Sequence, residues 1–66
     1  MRLVVNGQVG NYPAGITVRR LLETLGIEKK PVAVELNRGI VPRQELDQKL
    51  LKENDTLEIV TFVGGG

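Results

Sequence analysis

An α+β fold, with one main helix laid across one face of a mixed sheet, follows from three features of this sequence. An Asn-Gly pair separates apolar runs near the start, a doubly capped apolar stripe follows it, and two later segments alternate with period two. A stripe this narrow cannot bury itself, so the helix needs a sheet beneath it. A mixed sheet of four to five strands is expected.

Met1 to Val5 reads as the first strand, and Asn6-Gly7 is a strong hairpin signal. The return strand, about Gln8 to Tyr12, is weakened by Gly10 and Asn11, and Pro13-Ala14-Gly15 ends it. Val18, Leu21, Leu22 and Leu25 then recur at helical spacing. Thr17 stands at the N-cap and Gly26 at the left-handed position after the helix. Ile16 and Leu21 have the spacing of a hydrophobic staple, and Ile27 falls opposite Leu22 as a Schellman ending requires. Pro31 blocks continuation, after which Val32, Val34 and Leu36 alternate with Ala33, Glu35 and Asn37. Asn37-Arg38-Gly39 reads as a turn and Ile40-Val41 as a brief strand ended by Pro42. Arg43 to Asp47 is expected to form one helical turn, with Leu46 and Leu50 folding inward. Lys52 to Asp55 is a polar turn in which Asn54 suits positive φ. Thr56 to Val63 is the last strand.

Composition narrows the chemistry. The 66 residues make one small domain, near the lower limit for a core without staples. There is neither Cys nor His, so disulfides, thiolate or imidazole metal ligands, and Ser-His or Cys-His pairs are all excluded. The acidic residues are scattered, without the clustering that a carboxylate metal site needs. Net charge is +1, the longest basic runs are the pairs Arg19-Arg20 and Lys29-Lys30, and Trp is absent, which argues against nucleic-acid binding. No apolar run approaches a membrane span, and no signal peptide precedes the first strand. A soluble, cytoplasmic protein is expected.

On the last strand Leu57 and Ile59 share a face with Thr61 and Val63, while Glu58, Val60 and Phe62 share the other. With Leu57 and Ile59 toward the helix, Val60 and Phe62 point outward as an apolar docking patch. The plainer alternative folds Phe62 over a sheet edge. Gly64-Gly65-Gly66 follows directly, and without Cβ atoms such a tail can thread a narrow cleft and present its carboxylate there. An ordinary frayed terminus is the competing interpretation. One domain over residues 1–63 and a glycine tail over 64–66 are therefore expected.

The block Val32-Ala33-Val34-Glu35-Leu36-Asn37, continuing to Ile40-Val41-Pro42-Arg43, resembles the ThiS family, the sulfur carrier proteins of thiamin biosynthesis. So do Asn6-Gly7, Thr17-Val18 and the ending from Leu57-Glu58-Ile59-Val60-Thr61 to the glycines. The turn Asn37-Arg38-Gly39, Leu46 where an aromatic is frequent, and Asn54 where Gly is frequent depart from the family pattern. The resemblance implies a ubiquitin-like β-grasp fold and a carrier that is a co-substrate of other enzymes, not an enzyme itself. It implies that an E1-like adenylyltransferase, using ATP and Mg²⁺, adenylates the Gly66 carboxylate. Sulfur from a cysteine desulfurase or a rhodanese-type donor then yields a thiocarboxylate for thiazole synthase. Gly64 and Gly65 supply reach, Val60 and Phe62 are the candidate docking residues, and the carrier itself holds no cofactor. Arg43 is given no specific role beyond a local hydrogen bond or ion pair. The small subunit of molybdopterin synthase, and a modifier conjugated through its terminal glycine, remain alternatives on the same fold, as does an interaction domain with an inert tail.

Overall fold

β1 (Arg2–Val5) and β2 (Gln8–Asn11) form the expected hairpin in the computed structural model, whose described residues are 1–62. Asn6 and Gly7 have φ of 49° and 81°, the doubly left-handed turn whose twist matches that of paired strands. Tyr12 lies just past β2, yet its N–H still bonds the Met1 carbonyl at 2.8 Å. β3 (Val32–Leu36) turns through Asn37 and Arg38, at φ 50° and 73°, into β4 (Gly39–Ile40). β5 (Thr56–Thr61) completes a sheet ordered β2-β1-β5-β3-β4. β5 is thus central, parallel to β1 and antiparallel to β3. Val63 and the expected tail, residues 64–66, lie outside the described residues.

The helix α1 (Val18–Thr24) is stopped at both ends by local chemistry. The Thr17 hydroxyl accepts from the Arg20 N–H at 3.1 Å. The two preceding donors are also satisfied: the Val18 and Arg19 N–H groups reach the carbonyls of Lys49 and Leu46, each at 2.9 Å. At the other end Gly26, at φ 75°, donates to Glu23 and Ile27 donates to Leu22, both at 3.0 Å. This is the complete Schellman pair.

Val18, Leu21 and Leu22 meet Leu3, Val5, Val34, Leu57 and Ile59 from the sheet, with Ile16, Val41, Leu46 and Leu51 closing the sides of the core. Two expectations fail. Leu25 is 40% exposed because the helix ends before it, and Ile27 packs against the core instead. Leu50 is exposed and Leu51 buried. Residues 49–51 run extended beside the helix entrance, where Leu50 bridges Thr17 and the Leu51 N–H bonds the Ile16 carbonyl at 2.9 Å. Adjacent residues of an extended segment face opposite ways, so only one leucine can point inward. The expected helical turn is a 3-10 turn, Arg43–Glu45, with Leu46 buried behind it.

Because the two helix stops are independent, Thr17→Ala should cost about 1 kcal/mol. Gly26→Ala should cost about 1–2 kcal/mol by forcing a Cβ into the left-handed region. Urea denaturation should show the double variant losing the sum; an unchanged midpoint for either single variant contradicts this account of the ends.

Candidate functional site

Every residue expected to face a partner lies on or beyond β5, so what fixes β5 fixes the site. On one flank the β3 ladder runs the whole strand, from Leu36 opposite Leu57 to Val32 opposite Thr61. The Phe62 N–H extends it by one bond to the Pro31 carbonyl at 3.0 Å. On the other flank β1 covers only Thr56 and Leu57 before the chain turns at Asn6. The Asn6 side chain takes over there: its Oδ1 accepts from the Ile59 N–H at 2.7 Å and its Nδ2 donates to the Ile59 carbonyl at 3.1 Å. A primary amide has the same donor and acceptor as a peptide group, so Asn6 acts as one further rung of the ladder.

Asn37 does similar work where β5 begins. Its N–H donates to the Thr56 carbonyl at 2.8 Å and its Oδ1 accepts from the Thr56 N–H at 2.9 Å. Its Nδ2 donates to the buried carboxylate of Asp55 at 2.9 Å, and the other oxygen of Asp55 accepts from the Lys52 N–H at 2.8 Å. Asn54, at φ 69°, shapes the same turn. Glycine would satisfy the left-handed φ at Asn6 and Asn37 but would leave Ile59 and Thr56 short of partners. The sequence assigns Asn6, Asn37 and Asn54 to turns but does not show the hydrogen bonds that the first two make to β5. The residues joined by these bonds are far apart in the chain, so no local pattern announces them.

Leu57 and Ile59 are buried against the helix, and Val60 faces the opposite side at 55% exposure, as the alternation requires. Phe62, at 56% exposure, lies past the end of β5 and borders a groove shared with Arg19, Leu22, Arg43 and Leu46. Glu28, Lys29 and Lys30 line the same groove, so four cationic side chains and one carboxylate surround the last described residue. Arg43 stands at this rim, and its side chain forms neither a hydrogen bond nor an ion pair among the described residues, where Arg19–Asp47 and Arg20–Glu23 are the pairs present. Gly64, Gly65 and Gly66 lie outside the described residues. Among those described, no group of His, Cys, Asp or Glu is placed to hold a metal, and no helix is long and apolar enough to cross a membrane.

The family model for the ThiS family matches residues 3–66. The chain belongs to the ThiS family. It is 32% identical to the sulfur carrier protein ThiS of Escherichia coli, with the whole of both chains covered. The crystal structure of a thiamine biosynthesis protein (ThiS) from Geobacter metallireducens superposes with a TM-score of 0.84 at 33% identity, again over the whole of both chains. The mixed sheet with one helix is therefore the ubiquitin-like β-grasp of ThiS proteins. A thiazole synthase of Paramagnetospirillum magneticum is 47% identical over 66 residues, and the chain spans only 20% of that protein's length.

Asn6→Ala should destabilise this ThiS-family domain by about 2–3 kcal/mol, through two lost hydrogen bonds and a Cβ-bearing residue without a local polar partner in the left-handed region. Hydrogen exchange should then show the Ile59 amide losing protection while the Val34 amide, deep in the core, keeps more of it. Equal protection of Ile59 in both proteins contradicts the clamp.

Proposed function

We propose that this chain is a sulfur carrier in the assembly of the thiazole moiety of thiamin, working in the cytoplasm as a co-substrate of other enzymes. The observation that carries the reading is membership of the ThiS family across residues 3–66, a match that includes the glycine ending. The composition agrees: with neither Cys nor His, the chain has no thiol to carry sulfur itself and no imidazole to activate a hydroxyl.

A free carboxylate is a poor acyl donor because oxide is a bad leaving group. In the proposed cycle an E1-like adenylyltransferase binds ATP and Mg²⁺, and a Gly66 carboxylate oxygen attacks the α-phosphorus, expelling pyrophosphate. The acyl-adenylate now carries AMP, a good leaving group. The terminal sulfur of a persulfide, carried by a cysteine desulfurase or rhodanese-type donor, attacks the carbonyl carbon and expels AMP to give an acyl disulfide. A second thiol then attacks the donor-side sulfur, breaking the S–S bond, so that the thiocarboxylate leaves and the donor is left as a disulfide. Thiazole synthase takes that sulfur. Gly64 and Gly65 let the end pass into narrow active sites, where a side chain would obstruct. Val60 and Phe62 meet the enzymes' surfaces. β5 contributes rigidity: the chain is held by backbone bonds as far as Phe62, so a docked body directs its end at a defined place.

Intact mass spectrometry after incubation with ATP, the E1-like enzyme and a sulfur donor should show one oxygen of the chain replaced by sulfur. Deleting Gly65 and Gly66 should abolish this conversion, and with it growth without added thiamin, while leaving the fold intact. Unchanged mass with all components active, or full function of the deletion variant, overturns the reading. Ladders of conjugates on target lysines would favour the modifier alternative.

A further inference from the structure

The sheet face turned away from α1 carries an arrangement that works against stability. Glu35 of β3 and Glu58 of β5 are direct partners across the ladder, and both side chains lie on the exposed face. Directly opposed residues have Cβ atoms roughly 4.5–5.5 Å apart, and like charges so placed are destabilising. Neither carboxylate has an ion-pair partner among the described residues. Arg38 borders the same hollow without pairing to either one. Apolar side chains frame the pair. Ile40, 67% exposed, stands opposite Glu35 on β4, and Val60 follows Glu58 on the same face of β5 opposite Ala33. Two unpaired anions in register, flanked by exposed aliphatic groups, match a long cationic side chain: its charge fits between the carboxylates and its stem lies on Ile40 and Val60.

We propose that this face docks thiazole synthase, with Glu35 and Glu58 together accepting one arginine or lysine of that enzyme. The inference rests on the sulfur-carrier reading and adds to its Val60 contact the charged pair beside it and the one enzyme that pair serves. The choice of partner is supported by the P. magneticum thiazole synthase, in which a stretch similar to this chain is part of a much longer protein that bears that enzyme's name. The intramolecular repulsion is retained because the partner's cation relieves it. Removing the charges therefore strengthens the free domain and weakens the complex, an opposition that a merely structural role does not produce.

The test uses the full chain, the thiazole synthase of the same organism, and three variants: Glu35→Gln with Glu58→Gln, Glu58→Lys, and Val60→Ala. The double Gln variant should melt about 2–5 °C higher than the natural chain and bind the synthase at least tenfold more weakly, with much of the salt dependence gone. Glu58→Lys pairs internally with Glu35 and should be at least as stable as the natural chain, yet bind still more weakly. Val60→Ala should weaken binding at unchanged salt dependence. Adenylation by the E1-like enzyme should proceed normally in the double Gln variant. Equal synthase binding by natural and double Gln chains, or a lower melting temperature in the double Gln variant, overturns the dock while leaving the carrier reading standing. Loss of adenylation with intact synthase binding overturns the assignment of partner. Absence of synthase binding by the natural chain, under conditions where it also acquires no sulfur, overturns the carrier reading and the dock together.

Discussion

The backbone of β5 is the constraint on which the rest of this small domain depends. Among the described residues it is the only strand flanked on both sides by strands that are not its sequence neighbours, since β1 opens the domain and β3 precedes it by a long detour. β1 is too short to pair its full length, and an uncovered edge at the centre of a sheet would leave peptide groups without partners. The Asn6 amide fills that gap at Ile59, and Asn37 anchors the strand's start at Thr56. The hairpin turns therefore do two jobs: they reverse the chain, and their side chains hold the central strand.

This division of labour explains why the site has so little conventional chemistry. Leu57 and Ile59 hold β5 to the core, the two asparagines hold its flanks, and Phe62 is still tied to Pro31. Rigidity up to that point allows the body to act as a handle for a group carried beyond it. Two different surfaces flank the strand: Val60 and the opposed glutamates on one face, and the groove of Arg19, Glu28, Lys29, Lys30 and Arg43 beside Phe62.

The helix was legible in the sequence because both its ends are written in adjacent residues: Thr17 with Ile16 and Leu21, and Gly26 with Ile27 and Leu22. The Asn6-Gly7 hairpin and the alternation from Leu57 to Val60 were legible for the same reason, since turn chemistry and alternation are local; Phe62, expected beside Val60, lies past the end of β5 and lines the groove with Leu22 and Leu46. Leu50 and Leu51 were not. Which of two neighbouring leucines points inward depends on the bridge to Thr17, a contact across the fold. Leu25 was overcounted because the apolar period continues one residue past the point where the Schellman turn stops the helix. The roles of Asn6, Asn37 and Asp55 were hidden for a different reason. Asparagine in a left-handed turn is already accounted for by its φ, so nothing local signals that its amide is also in use elsewhere.

The central claim is that the backbone end of the chain, and no side chain, is the group that changes. Top-down fragmentation of the sulfur-loaded protein tests it most directly. Sulfur should appear only in fragments that contain residue 66, with every fragment ending before it at its natural mass. Sulfur located on any other residue would contradict the account.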